Sequence, residues 1–286
     1  MGLLLDVARD WSLLSLVALS LVLVYKATGV FNLAVGTMML LDAYLIYALS
    51  SATGSASLAL VLTLLVQVPL GIAVYLVMRG LISRRALWAA TIMTIGIGLV
   101  LEALISYAWG FSSYQVPSPF PDSLVHISGD VSISVVDLAG IGVATVICLA
   151  VVLGQRFSRA GLTLRAAGES PLLASQSGVN IRRVFPAVWC LALACAALGA
   201  ALYSYRSGTN PSLTAIGLGA IAPAMLGGLD SLGGVFVGAA VAALAQQLAL
   251  RYLGGDASEF TLFGLVLLVL IVRPTGFFGT AQTERA

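Results

Sequence analysis

Charged side chains are scarce in this chain, and only 9% of its 286 residues are Asp, Glu, Lys or Arg. A soluble domain carries about 25% charged residues, because its surface must stay hydrated. Hydrophobic residues instead make up 60% of the chain. The composition therefore predicts a membrane protein. One crossing needs about 20 apolar residues, so the length allows roughly eight to ten spans and leaves no room for a sizeable soluble domain.

The residues on which most enzymes and nucleic-acid-binding proteins rely are also missing. The single lysine, Lys26, is followed by alanine, so the chain has no Walker-type phosphate-binding loop. The single histidine, His126, stands far from the three cysteines, and this spacing argues against a zinc site. The net charge of +2 offers no basic patch for nucleic acid. We therefore expect no enzyme activity, no metal or other cofactor bound by this chain, and no nucleic-acid partner.

Long apolar runs predict the fold, an all-α polytopic transmembrane helical bundle of about eight or nine spans within one domain, residues 1–286. The seventh run contains Pro223 and several glycines, so it either crosses as a broken helix or re-enters from one side. The runs cover approximately residues 11–28, 33–51, 57–79, 88–109, 135–155, 184–204, 214–228, 233–252 and 259–273.

Arginines cluster in two places, after the third run at residues 79–85 and within residues 156–183. Between these clusters, residues 110–134 contain no Lys or Arg. Because basic loops stay in the cytosol, residues 156–183 are predicted to be cytosolic and 110–134 to form an outer loop. Nine crossings then give an external amino terminus and a cytosolic carboxy terminus bearing Arg273 and Arg285, with Arg206 and Arg251 outside as exceptions.

The cytosolic loop contains the signals of a short helix. Ser170 and Pro171 are a favourable N-cap and first-turn pair, and Gly178 suits the left-handed position that ends a helix. A helix of about two turns over 172–177 is not stable alone in water, so it must dock on something. From the residues alone, docking on its own membrane domain and docking on a partner are equally supported.

Small residues dominate a second segment, GAIAPAMLGGLDSLGGVFVGAAV. Gly234 and Gly238 stand four residues apart on one helix face, which allows another helix to approach closely. Gly227 and Gly228 flank a junction between helices, where glycine gives the backbone freedom to turn. Together with Pro223, these residues are interpreted as helix-packing or hinge positions.

Two acids, Asp42 and Glu102, lie inside apolar runs. Acids within a membrane are costly and usually face a cavity or a partner, although a shallow position near the interface explains them equally well. In the functional interpretation they belong to the translocation path. An alternative function follows from them, a stand-alone ion-coupled secondary transporter in which Asp42 and Glu102 carry the ion.

Four segments, taken in order, resemble the membrane permease subunits of branched-chain amino-acid ABC importers. The resemblance extends from about residue 22 to residue 279, and four segments in the family's order make it specific. The segments are KATGVFNLAVGTMMLLDAY, TIGIGLVLE, LRAAGESPLLASQSGVNIRRV, and AMLGGLDSLGGVFVGAAV followed by RPTGFFG.

The resemblance implies a permease in a bacterial or archaeal cytoplasmic (inner) membrane, surrounded by lipid. Its implied partners are a second permease subunit, either a copy or a paralogue, two cytosolic P-loop ATPases that bind ATP-Mg, and a periplasmic or extracellular solute-binding protein. It also implies that Asn32, Gly36, Thr94 and Gly96 lie near the translocation path. The residues implied to form the ATPase-coupling helix are Arg165, Ala166, Glu169, Ser170, Pro171, Ala174 and Gly178.

This sequence departs from the family pattern at several positions. Asp42 and Asp230 replace glycines that are typical of the family, and Val35 and Thr37 replace its common polar pair around Gly36. These departures leave the substrate open among branched-chain amino acids, other amino acids, short amides and urea.

Overall fold

The computed structural model of the protein describes residues 2–121, 123–128, 131–273 and 275–279. The outer-loop acids Asp122 and Asp130 and the carboxy-terminal Arg285 lie outside these ranges. In chain order the helices are α1 (Gly2–Thr28), α2 (Val35–Thr53), α3 (Ala56–Ser83), α4 (Leu87–Trp109), α5 (Val135–Phe157), α6 (Arg159–Glu169), α7 (Pro171–Gln176), α8 (Ile181–Ser207), α9 (Leu213–Gly219), α10 (Ile221–Gly227), α11 (Leu232–Tyr252) and α12 (Gly255–Val272).

The predicted helical bundle is confirmed. Among the described residues, seven helices are long and apolar enough to cross a membrane, namely α1 to α5, α8 and α11. Two shorter apolar segments, 213–227 and 260–272, correspond to the seventh and ninth predicted runs. The prediction was wrong about where the first helix begins, since α1 starts at Gly2 rather than near residue 11. Charged residues end an apolar run, but they do not end a helix whose polar first turns lie at the membrane surface.

The arginine clusters at 79–85 and 156–183 lie at one end of the bundle, which we call the basic end; the loop 110–134 lies at the other, the outer end. The seventh run connects these two ends. Just before α9, the Thr209 amide donates a hydrogen bond to the Tyr114 carbonyl of the outer loop, at 2.8 Å. Just after α10, the Asp230 carbonyl accepts a hydrogen bond of 2.7 Å from the Lys26 ammonium, near the end of α1 at the basic end. Residues 209–227 therefore cross the bundle as a broken helix.

Helix α1 is the centre of the bundle. Every residue from Ser12 to Val24 is buried, and the helix packs against α5, α8, α10 and α11. A helix that is apolar all round, with no single hydrophobic face, is expected to be enclosed by other helices. By contrast, α3, α4 and α5 expose large apolar side chains along much of their length, for example Leu65, Leu99 and Leu149. Those faces are available to lipid or to another membrane protein.

The outer loop contains a small β-hairpin. Strand β1 (Leu124–Ser128) pairs antiparallel with β2 (Val131–Ser134), consistent with the alternating sequence there. The second strand runs directly into α5, because the Ser134 hydroxyl accepts a hydrogen bond of 3.2 Å from the Val136 amide and so caps that helix. The two described strands therefore form a hairpin at the outer end, next to the start of α5.

One of the arginines at the outer end forms a largely buried ion pair. Arg206, in the last turn of α8, pairs with Asp137 in the first turn of α5, and both side chains are largely buried. The pair as a whole is neutral, so each buried charge is compensated by the other. The carboxylate also lies at a helix amino terminus, where negative charge is favourable.

We expect Arg206→Met to destabilise the protein by about 2–3 kcal/mol, because it leaves the Asp137 carboxylate buried without its partner. The double variant Arg206→Met/Asp137→Leu removes both charges and is expected to recover to within about 1 kcal/mol of the original stability. Thermal unfolding of the original protein, Arg206→Met, Asp137→Leu and the double variant in one detergent measures this cycle. Strictly additive losses would show that the pair makes no stabilising contact.

Candidate functional site

The chain between α1 and α2 is non-helical but buried. Helix α1 ends at Thr28, and the next residue, Gly29, has a φ of +72°, a conformation that glycine adopts readily. The next residues include Val30, Asn32 and Ala34, all at most 2% exposed. Irregular backbone inside a membrane protein is tolerated only where the protein itself satisfies the polar groups.

Threonine side chains of α4 satisfy this backbone. The Thr94 hydroxyl accepts a hydrogen bond of 3.0 Å from the Leu33 amide, and the Thr91 hydroxyl accepts one of 3.4 Å from the Phe31 amide. The Asn32 carboxamide oxygen accepts a hydrogen bond of 3.2 Å from the Ala34 amide and so forms the turn that begins α2. The structure thus brings the predicted path residues Asn32 and Thr94 together as supports of one helix break.

The predicted path residues Gly36 and Gly96 differ in their surroundings, since Gly36 lies in a close helix contact and Gly96 is exposed. Gly36, in the first turn of α2, lies against the backbone of Thr214 and Gly217 in α9, with no space for a Cβ atom. Gly96 lies on an exposed face of α4, with nothing within 4 Å of the position where a Cβ atom would be. The face of α4 that packs against α2 instead has Gly98, whose ideal Cβ position is 3.4 Å from the Thr37 hydroxyl.

The two intramembrane acids have different surroundings. Asp42 is completely buried, and its carboxylate accepts a hydrogen bond of 2.7 Å from the Gln67 carboxamide of α3. Its second oxygen and the Gln67 carbonyl have no partner in the described part of the chain. Glu102 is half-buried on α4 and has no hydrogen bond or ion pair to any described residue. No contact joins the two acids among the described residues, so their role in a path stays a prediction.

A second helix break faces the first one. Helix α9 ends at Gly219, and α10 continues from Ile221. Pro223 lacks an amide hydrogen and its ring clashes with the carbonyl four residues earlier, which belongs to Gly219. The proline therefore accounts for the position of the break. Because α9 packs on the first turn of α2, the two interrupted segments meet inside the bundle.

The other glycines of this region make close helix contacts. Gly234 of α11 lies against the Gly227 carbonyl, and Gly238 lies against the Pro223 carbonyl and the Gly227 amide of α10. The ideal Cβ position at Gly228, which has a φ of +98°, is 2.5 Å from the Gly279 amide nitrogen. The α10–α11 pair and the segment 275–279 therefore form one tightly packed unit at the basic end.

The predicted short helix is present in the loop 156–183. Ser170 is its N-cap, with its hydroxyl accepting a hydrogen bond of 3.4 Å from the Leu173 amide, and Pro171 occupies its first turn. Gly178 has a φ of +85° just beyond its end. Ala174 is buried, whereas Leu172 and Leu173 are more than 60% exposed. One side of α7 is thus docked on its own chain and the other presents apolar side chains outward.

The resemblance implied one coupling helix, but the structure divides its residues between α7 and a separate helix, α6, which connects α7 to the core. It contains the half-buried Arg165 and Ala166, and it ends at the exposed Glu169. Gly168 lies against the Lys26 carbonyl in the last turn of α1, and Gly161 packs against the end of α5 around Gln155.

Three important residues were missed from the sequence, although each leaves a signal there. Lys26 is the only lysine, and its ammonium interacts electrostatically with Asp230, Arg165 and Glu169. Gln67 is a lone carboxamide within an apolar run and binds Asp42. Gly168, seven residues after Gly161, lies on the same face of α6 and lets that helix contact α1.

In the part of the chain that the structure describes, no three or more His, Cys, Asp or Glu residues come together in a group that suits a metal ion. The groups that meet around the two breaks are backbone amides, threonine hydroxyls and a carboxamide. At the first break these groups bond to one another and so hold the irregular backbone in place.

Sequence comparison relates the chain to a family of membrane proteins. Residues 3–272 match the family described as the permease component of the branched-chain amino acid transport system. Three curated relatives are a high-affinity branched-chain amino acid transport system permease protein, LivH, from Escherichia coli, the corresponding protein BraD from Pseudomonas aeruginosa, and a probable LivH from Methanocaldococcus jannaschii.

These relatives resemble the chain over nearly its whole length. LivH is 28% identical, with 95% of this chain and 92% of LivH covered. BraD is 24% identical, with 95% and 93% covered, and the archaeal relative is 26% identical, with 92% and 86% covered. No solved structure is significantly similar. The family match over residues 3–272, together with seven helices long and apolar enough to cross a membrane, shows that this multi-pass membrane protein belongs to the permease family of branched-chain amino-acid transport systems.

Proposed function

We propose that the chain is the transmembrane subunit of an ATP-driven importer for branched-chain amino acids in a bacterial or archaeal cytoplasmic membrane. The observation that carries this proposal is the match to permease proteins named for that transport, which covers more than nine-tenths of the chain. In this function it pairs with a second permease, a copy or a paralogue. Two cytosolic ATPases supply the ATP-Mg chemistry, and an external solute-binding protein delivers the substrate.

The contacts at the basic end support a route for coupling. An ATPase that binds the exposed side of α7 would move α6 with it, since only Ser170 separates the two helices. Gly168 of α6 touches the Lys26 carbonyl, three residues before the break after α1. That break leads directly into the first turn of α2, which packs on α9. A displacement of α7 therefore reaches both interrupted segments through direct contacts.

Alternating access requires that the two interrupted segments, after α1 and between α9 and α10, pack in two different ways. ATP binding and hydrolysis bias the equilibrium between outward-open and inward-open arrangements only if the ATPase contacts differ between them. The buried apolar residues around the first helix break, among them Val30 and Ala34, suit the aliphatic side chain of a branched-chain amino acid.

Copurification tests the proposal. We expect the tagged full-length chain, extracted from native membranes in mild detergent, to bring down two P-loop ATPases and a second permease. The recovered complex is expected to hydrolyse ATP and, with its binding protein, to take up radiolabelled leucine into proteoliposomes. A chain that purifies alone and transports under a proton or sodium gradient would instead support the ion-coupled transporter, with Asp42 and Glu102 as the residues to substitute.

A further inference from the structure

A groove of about 960 Å³ opens at the basic end between α3, α7 and α8. Its volume lies within the range of about 300–1,000 Å³ that is typical of ligand sites. Tyr75, Leu76 and Ile82 of α3, Leu172 of α7 and Phe185 of α8 form its apolar wall. Leu76 and Leu172 are 49% and 63% exposed, so the wall continues onto the lipid-facing surface. The groove therefore lies where the apolar surface of the bundle meets the arginines of its basic end.

Three arginines from separate parts of the fold converge on the groove. Arg79 and Arg85 come from the end of α3 and Arg182 from the start of α8, and all three are exposed. None of them forms an ion pair with a residue that the structure describes. No Asp or Glu is among the described residues that line the groove. The groove thus combines an apolar wall with several uncompensated positive charges.

The backbone at Arg85 is unusual. Arg85 has a φ of +55°, and the Ala86 amide donates to the Leu81 carbonyl at 3.0 Å, as in the helix-ending turn that normally has glycine at this position. A side chain in this conformation costs free energy relative to glycine. Its neighbour Arg84 has an ordinary φ of −84°. Glycine would fit the backbone at residue 85 better than arginine does. The arginine at this position places a guanidinium at the groove.

We propose that this groove binds one anionic phospholipid of the cytosolic leaflet. Arginine forks pair with phosphate oxygens, and basic pockets between transmembrane helices recognise anionic headgroups. The acyl chains lie along Leu76 and the exposed surface of α3. Because α7 forms one wall, the bound lipid holds α7 against α3 and α8. This proposal depends on the membrane-embedded fold and is independent of how the transporter is powered.

Lipid-dependent unfolding provides the first test. The full-length chain in mild detergent is titrated with phosphatidylglycerol, with phosphatidylcholine of the same acyl chains, and with inorganic phosphate. We expect phosphatidylglycerol to raise the unfolding midpoint by about 2–4 °C, and the other two to leave it unchanged. Native mass spectrometry is expected to retain one phosphatidylglycerol per chain. An equal shift with inorganic phosphate would assign the groove to a free anion, and an equal shift with phosphatidylcholine would remove the role of charge.

Neighbouring arginines supply matched controls. Arg85→Gln and Arg182→Gln are each expected to weaken phosphatidylglycerol binding by about fivefold, since one arginine near an anionic surface contributes about that factor. Arg84→Gln and Arg183→Gln remove the same charge from the adjacent residue, outside the groove, and are expected to change binding by less than about twofold. Equal losses in both sets would show that general surface charge binds the lipid and would overturn the proposal.

The variant Arg85→Gly distinguishes an effect on lipid binding from an effect on the stability of the fold. Glycine relieves the positive φ, so this variant is expected to unfold at the same temperature as the original protein, or higher, without lipid. Its phosphatidylglycerol affinity is nevertheless expected to fall by about fivefold. Unchanged lipid affinity in Arg85→Gly, combined with loss of a copurifying protein, would assign the groove to a protein contact instead.

Discussion

Replacing Gly36 by alanine is expected to destabilise the protein by about 3 kcal/mol, among the largest effects of any single methyl group in this chain. The new methyl group would overlap the Thr214 carbonyl of α9. The backbone of Gly36 also lies close to Gly217 on the same face of α9. Both obstacles are backbone, so neither moves without shifting a helix. Fluorescence-detected size-exclusion chromatography and thermal unfolding in detergent measure the loss of folded protein.

Gly96→Ala is the matched control for this prediction. It makes the same change within a neighbouring transmembrane helix, but nothing lies within 4 Å of the new methyl group. Because alanine favours helix more than glycine does, we expect this variant to be as stable as the original or slightly more so. Similar yields of folded protein from Gly36→Ala and Gly96→Ala would contradict the close approach of α2 and α9.

Local signals in the sequence were sufficient to predict some elements and not others. Helix α7 was predicted because its N-cap, first-turn proline and terminal glycine are adjacent in the chain. Helix α6 was not predicted as a separate helix, because it depends on contacts with α1 and α5 at Gly168 and Gly161. Helix α7 therefore follows from local sequence preferences. Helix α6 follows from tertiary packing, which cannot be inferred from a single sequence.

The candidate site divides in the same way. A resemblance to a family selected Asn32 and Thr94, and the structure places both at one helix break. The same resemblance selected Gly96, which the structure places on an exposed face of α4. The hydrogen bond from Gln67 to Asp42 joins residues 25 positions apart on different helices. Such a partner is determined by how helices rotate against each other, and hydropathy does not reveal that rotation.

Charge reversal at Glu169 is expected to separate ATP hydrolysis from uptake, which rests on the proposed importer function. In Glu169→Lys, leucine uptake by the reconstituted complex should fall about tenfold or more, within the usual range of coupling between sites. ATP hydrolysis, copurification of the ATPases and thermal unfolding should change little, because Glu169 is exposed at the end of α6 and packs against no core residue. Paired assays of uptake and hydrolysis on the same preparation measure the ratio.

The interaction of Glu169 with Lys26 provides the control that distinguishes coupling from a purely structural role. Lys26→Met removes the partner with which Glu169 interacts electrostatically. It also removes the hydrogen bond to the Asp230 carbonyl, so it should lower the free energy of unfolding by about 1 kcal/mol. If Glu169 acts only by steadying Lys26, both variants lose stability, and uptake and hydrolysis fall together. If Glu169 contacts the ATPase, only Glu169→Lys hydrolyses ATP without transport. Normal uptake in Glu169→Lys would exclude this residue from coupling, because a reversed charge at a direct contact cannot leave that contact unchanged.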